Sequence, residues 1–174
     1  SMNENWLDQK RHATLLGILL VVAYFFHMFG NDIISLTHPD EVFYIQSAKE
    51  MLAHKEWLTP MIFDEVQFEK PFLSFALFAL AIKWFGLTSF ASRFWPAVFG
   101  IVGVGVVYWI AWTLFKRKRL AFLAGIILSS SFIYLALSRA VLTDMIFSTF
   151  IAISIGFFCM AYYNRKYKNP GIIL

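Results

Sequence analysis

Residues 71–86 read PFLSFALFALAIKWFG, and whether this run crosses a membrane decides the fold. As a helix it is about 24 Å long at ~1.5 Å per residue, short of the roughly 30 Å hydrocarbon core of a bilayer. Lys83 near its end suits an interface. Four other apolar stretches, 13–30, 90–115, 120–137 and 145–163, are long enough to span. If all five crossed, the basic groups Lys116 to Arg119 and Arg165 to Lys168 would face the side opposite Lys10 and Arg11. With 71–86 lying along the outer surface, all three basic groups become cytoplasmic, as the positive-inside rule requires.

The expected fold class is therefore all-α and integral to the membrane: four transmembrane helices plus two outer-surface juxtamembrane amphipathic helices, in one domain. In chain order these are a cytoplasmic tail (1–12), a first span (13–30), an outer segment (31–89) carrying helices 40–53 and 71–86, and a second span (90–115). A cytoplasmic turn (116–119), a third span (120–137), an outer loop (138–144), a fourth span (145–163) and a cytoplasmic segment (164–174) follow.

Composition supports the class. The chain is 59% hydrophobic and 15% charged, with 20 Phe among 174 residues, whereas soluble domains carry roughly 25% charged residues. The run 13–30 follows Lys10 and Arg11 and precedes no small-residue cleavage site, so it reads as a retained signal anchor. Cys159 has no intrachain partner, which excludes disulfides and cysteine-based metal sites. The basic excess reports topology rather than nucleic-acid binding. Gly100, Gly103 and Gly105 allow close helix packing in the second span. In 41–53, Val42, Ile45, Ala48 and Leu52 recur at helical spacing and predict an apolar face, with Thr37 or His38 as cap and Pro39 in the first turn.

Three charged clusters fall on the outer side: His38-Pro39-Asp40-Glu41-Val42-Phe43-Tyr44, Phe68-Glu69-Lys70-Pro71 and Leu142-Thr143-Asp144. Asp40 and Glu41 lie in a first helical turn, where the dipole favours negative charge. They read as a helix cap or, at headgroup depth, as carboxylates that bind a cation or orient and deprotonate a hydroxyl. Lys70, held by Pro71, reads as a lipid anchor or as a specific phosphate ligand. Glu69 pairs with Lys70 or holds a metal. Asp144, five residues after Arg139, reads as a helix cap or a site acid, and Thr143 as an alternative cap. His27, Tyr24 and Ser129-Ser130-Ser131 read as packing or interfacial groups.

Together with Glu50-Met51-Leu52, Glu56-Trp57-Leu58-Thr59-Pro60 and Ala140-Val141-Leu142-Thr143-Asp144, these clusters resemble, in order and spacing, the amino-terminal half of bacterial C-type-fold glycosyltransferases. The resemblance is to the aminoarabinose lipid A transferases and related protein mannosyltransferase-like enzymes, and it runs from about residue 37 to 163. It implies transfer of a sugar from a polyprenyl-phosphate donor to an acceptor at the outer face, with inversion at the anomeric carbon. It further implies that Asp40 is the base or orienter, Asp144 the second active-site acid and Lys70 a phosphate contact. Glu41, Tyr44 and Arg139 are candidate substrate contacts, and Glu69 matches a position that helps hold a divalent metal in some relatives. Phe43 stands where such enzymes carry Arg, which leaves the site one cation short for a lipid A phosphate.

The expected function is a membrane glycosyltransferase of the bacterial inner membrane, with a polyprenyl-phosphate-linked sugar and membrane lipids as partners and the acceptor open among lipid, glycan and protein. The run 170–174 reads as the start of another span, so the chain is expected to be a fragment completed by further helices or a partner chain. The alternative is a non-catalytic polyprenyl-phosphate-binding or assembly module. A transporter or channel is disfavoured, because no acid or base lies at mid-membrane depth in the four spans.

Overall fold

A computed structural model describes residues 2–33, 39–55, 57, 61–62, 65–66 and 71–168, with side chains described over 9–33, 41–55, 57, 65 and 71–163. Within these residues the helices are α1 (Met2–His27), α2 (Pro39–His54), α3 (Phe72–Phe85), α4 (Ser89–Phe115), α5 (Lys118–Ser130), α6 (Phe132–Ser138) and α7 (Asp144–Lys168). Between α2 and α3, strands β1 (Met61–Ile62) and β2 (Glu65–Val66) pair antiparallel, Met61 opposite Val66. The described elements are otherwise helical, as the all-α expectation has it. Two residues separate the strands, the spacing of a tight hairpin.

Helix α4 is the centre of the bundle and touches α1, α3, α5, α6 and α7. Its start is set by Thr88, in extended conformation, whose Oγ1 accepts the Ala91 N–H at 3.1 Å. Its end is set by Lys116, in the left-handed conformation at φ 53°, whose N–H reaches the Trp112 carbonyl at 3.0 Å. Helix α4 and the Asp144–Tyr163 part of α7 are each long and apolar enough to cross a membrane.

The stretch 120–137, expected as one span, forms two helices, α5 and α6, bent by 66°. The break falls at Ser131, whose backbone is extended, directly after Ser130 turns its hydroxyl back onto the Ile126 carbonyl at 2.9 Å. Serine hydroxyls compete with the backbone for helical hydrogen bonds, so three in succession are a natural point of rupture. Counted as one broken span, the pair brings the crossing helices to three.

The buried residues form two clusters. In one, α2 and α3 pack on the start of α4 and of α7 through Tyr44, Ile45, Met51, Phe75, Phe78, Val141 and Ile146. In the other, Leu19 and Ala23 of α1 meet Val104, Tyr108 and Ala111 of α4 and Ala121 of α5. Missing side chains allow the closest approaches: a Cβ on Gly100 would lie 2.8 Å from Ser138 Cβ, and one on Gly125 would strike Leu19. Close contact of this kind replaces the hydrophobic drive that is absent between helices in lipid.

The buried residues of α2 are Glu41, Tyr44, Ile45, Ser47, Ala48 and Met51, while Val42 is 56% exposed. The face is rotated from the one expected through Val42, Ile45, Ala48 and Leu52. The neighbours are the cause: α3 offers Phe75 and Phe78 to Tyr44, and α4 offers an arginine to Glu41.

Candidate functional site

The first turn of α2 is locked to the rest of the protein by a buried ion pair. Arg93, in the second turn of α4, places Nη2 at 3.3 Å from both Glu41 carboxylate oxygens and Nε at 3.3 Å from Oε1. Both side chains are almost fully buried, at 6% and 5% exposure. The same Oε1 accepts the backbone N–H of Val141, in the loop between α6 and α7, at 3.1 Å. Arg93 Nη1 donates to the Asn31 carbonyl, and the Asn31 amide returns a bond to the Arg93 carbonyl, each at 3.3 Å. Four segments therefore meet at one carboxylate–guanidinium pair: the turn after α1, the start of α2, the start of α4 and the loop before α7. Loss of one partner from such a pair costs about 3–5 kcal/mol, because the other charge is left buried and uncompensated.

The loop before α7 is fixed from a second side. Arg139 donates to the carbonyls of Phe26 at 2.7 Å and Phe29 at 2.9 Å, at the carboxyl end of α1. A cation there satisfies orphan carbonyls and complements the helix dipole. One residue earlier, Ser138 Oγ lies 2.6 Å from His27 Nδ1, while His27 Nε2 lies 3.1 Å from Ser129 Oγ.

Beside this framework is a cavity of about 290 Å³ between the start of α3 and the start of α7. Pro71, Leu73 and Ser74 line one wall and Thr143, Asp144, Ile146, Phe147 and Phe150 the other. Its polar groups, Ser74, Thr143 and Asp144, belong to the first turns of the two helices or the residue before them, and the apolar side chains continue down α7. A polar head with an apolar runway suits an amphiphile lying against the bundle.

The candidate residues separate clearly in space. Asp144 opens α7, is exposed and lines the cavity. Asp40 lies in the first turn of α2 beside Glu41, with its side chain outside the described residues. Glu69 and Lys70 lie outside the described residues, and Pro71, the next residue after Lys70, lines the cavity. Glu41, Tyr44 and Arg139, candidate substrate contacts in the sequence, are engaged within the protein. Glu41 holds Arg93, Tyr44 is buried between α2 and α3 with its ring 5.6 Å from Phe75 and 5.8 Å from Phe78, and Arg139 caps α1. Among the described residues no three His, Cys, Asp or Glu side chains gather to hold a metal ion.

Sequence reasoning missed Arg93 and Asn31. A signal was present for the first: an arginine inside an otherwise apolar helix needs a partner, and the partner marks a built site.

The sequence profile of the dolichyl-phosphate-mannose-protein mannosyltransferase family matches residues 13–172. An uncharacterized protein of Aquifex aeolicus (strain VF5) is 32% identical over 152 residues, covering 87% of this chain and 30% of the relative. Undecaprenyl phosphate-alpha-4-amino-4-deoxy-L-arabinose arabinosyl transferase 2 of Proteus mirabilis (strain HI4320) is 26% identical over 145 residues, covering 83% and 26%. The crystal structure of ArnT from Cupriavidus metallidurans bound to undecaprenyl phosphate superposes with a TM-score of 0.73 at 24% identity, covering 85% of this chain and 26% of that one. The chain thus spans less than a third of the length of these relatives, rather than the half expected. With a family match across nearly its whole length and the same helical fold, the chain belongs to the dolichyl-phosphate-mannose-protein mannosyltransferase family, with the C-type glycosyltransferase fold.

Proposed function

We propose that this chain forms the donor-proximal part of a membrane glycosyltransferase that moves a sugar from a polyprenyl-phosphate donor to a lipid, glycan or protein acceptor at the outer face of the bacterial inner membrane. The observation that carries the reading is the cavity between α3 and α7, polar at Ser74, Thr143 and Asp144 and apolar along Ile146, Phe147 and Phe150. A phosphate at headgroup depth and an isoprenoid chain beside α7 match that division. The relatives whose names carry undecaprenyl phosphate support the same donor class.

In this reading α1, α4, the α5–α6 pair and α7 are the four spans, and α2 and α3 form the outer layer. The amino terminus and the Lys116 to Arg119 turn face the cytoplasm, where the positive-inside rule puts them. An acceptor hydroxyl attacks the anomeric carbon from the face opposite the phosphate. The new carbon–oxygen bond forms as the bond to the phosphate oxygen breaks, which inverts the centre. Asp40 orients the hydroxyl and takes its proton. Lys70 neutralises the charge that develops on the departing polyprenyl phosphate. Asp144 is the second acid, placed on the cavity wall. A divalent metal, if one serves, is held in part by Glu69.

Binding of undecaprenyl phosphate to the purified chain, measured by native mass spectrometry, tests the reading. Lys70→Ala should weaken binding by about 1–3 kcal/mol, the worth of a charge-assisted hydrogen bond. Asp40→Asn should abolish transfer and leave lipid binding intact. If Asp40→Asn leaves transfer unchanged, Asp40 takes no part in the chemistry, and if the wild type binds the lipid without any transfer, the chain is a polyprenyl-phosphate-binding module. If Lys70→Ala and ordinary phospholipids give the wild-type affinity, the donor site lies elsewhere.

A further inference from the structure

We propose that Arg93 is a positioning residue: acting through Glu41, it sets the separation between the first turns of α2 and α7, and so between Asp40 and Asp144. Glu41 Oε1 receives Arg93 Nε and Nη2 from one side and the Val141 N–H from another. Asp40 is the chain neighbour of Glu41, and Val141 is three residues before Asp144. The pair of proposed acids is therefore joined through the Glu41 residue, Asp40 at its backbone and the loop to Asp144 at its Oε1. The chemical consequence rests on the glycosyltransferase reading, whereas the geometric one does not.

Three features make Arg93 the fixed point of this linkage. It belongs to α4, which touches five of the other helices and is the most constrained element of the fold. Its guanidinium meets both oxygens of Glu41, and a planar fork fixes the plane of a carboxylate where an ammonium fixes only a distance. Its Nη1 donates to the Asn31 carbonyl, and the Asn31 amide bonds back, so the guanidinium is held at 5% residue exposure with little freedom to turn. The loop that leads to α7 has only one short internal backbone bond, Leu142 N–H to the Ala140 carbonyl at 3.0 Å. Arg139 and Ser138 tie its beginning to α1. The Val141–Glu41 contact ties its middle to α2. Without the Arg93 fork the Glu41 carboxylate can rotate, and the loop and α2 lose their common reference. Misplacement of reacting groups by about 1 Å can cost on the order of 10²-fold in rate.

The test measures this separation in the full chain, in lipid nanodiscs and a Cys159→Ser background. Spin labels are placed at Lys49→Cys on α2 and Ile151→Cys on α7. A control pair at Leu123→Cys and Ile155→Cys reports α5 against α7. Because Arg93→Ala leaves a buried carboxylate alone and endangers folding, the variants are Arg93→Lys and the neutral double variant Glu41→Gln/Arg93→Gln. The expected result in both is a broadened or shifted α2–α7 distance with the control distance unchanged. Consumption of undecaprenyl-phosphate-linked aminoarabinose, with bacterial membrane lipids as acceptor pool, should fall on the order of 10²-fold at saturating donor, and KM should stay within about threefold. An unchanged α2–α7 distance in folded Arg93→Lys and in the double variant overturns the proposal. So does a control distance that broadens equally, which would mean general loosening. Absence of donor consumption by the wild type, with the α2–α7 distance still dependent on Arg93, refutes the reaction and leaves the positioning role standing.

Discussion

His27 Nδ1 lies 2.6 Å from Ser138 Oγ, so a histidine at the end of α1 grips the far side of the α5–α6 bend while its other nitrogen holds Ser129 on the near side. The ring is fully buried, with Tyr134 edge-on at 5.4 Å between centroids. The bend is thus clamped across its break by one side chain. His27→Ala should lower stability by about 1–3 kcal/mol, since it takes the imidazole from buried Ser129 and leaves Ser138 with the Leu135 carbonyl alone. Thermal unfolding in detergent reads the loss, and hydrogen exchange should rise at residues 129–138. A melting temperature equal to wild type would show that the hydroxyls re-pair at no cost.

Gly103 faces Tyr134, whose hydroxyl donates to the Gly100 carbonyl at 2.7 Å, and a Cβ at Gly103 would strike that hydroxyl. Gly103→Ala should therefore destabilise by about 1–3 kcal/mol, as overpacking of a tight contact does. Gly17, with nothing within 4 Å of a built Cβ, is the control, and Gly17→Ala should be neutral or slightly stabilising. Equal melting temperatures for the two variants would mean that α4 and α6 are not packed this closely.

Gly86 ends α3 at φ 75° and ψ −179°, with open space around a built Cβ. This backbone region is close to glycine-only, so Gly86→Ala should cost about 1–3 kcal/mol through backbone strain alone. The α3–α4 turn should shift rather than the core. Wild-type stability in this variant would show that the turn adopts another conformation at little cost.

The proposed four-span arrangement predicts the side on which each connection would lie. In a Cys159→Ser background, Arg117→Cys in the α4–α5 turn should resist a membrane-impermeant maleimide applied from outside and react after permeabilisation. His54→Cys at the end of α2, which is exposed, should react from outside at once. Labelling of Arg117→Cys in intact cells would refute the topology, and with it the outer position of α3.

Much of this fold is legible in the residues because a membrane imposes few choices. A stretch as apolar as 90–115 must be helical to satisfy its backbone in lipid. The start of α7 at Asp144 follows from Thr143 and Asp144, residue types that cap helices. The α5–α6 break was less visible, since serines in lipid also serve packing. It takes the run Ser129-Ser130-Ser131 together with His27, 111 residues away from Ser138, to hold a bend of 66°. The hairpin at Met61–Ile62 was hidden by its brevity.

The site divides along the same line. Helix placement, the position of Asp40 and Asp144 in first helical turns and the family kinship lie in local order and spacing, because apolar length and capping act within a few residues of themselves. The roles of Glu41, Tyr44 and Arg139 depend on which groups meet across the bundle. Glu41 turns inward because α4 presents Arg93 at the same depth, and a carboxylate in a low-dielectric interior takes the nearest cation with the right fork. That meeting joins residues 52 positions apart, with Val141 a further 48 along the chain from Arg93. No periodicity or motif encodes such a contact, since it arises from the packing of α2, α4 and the loop before α7 against one another.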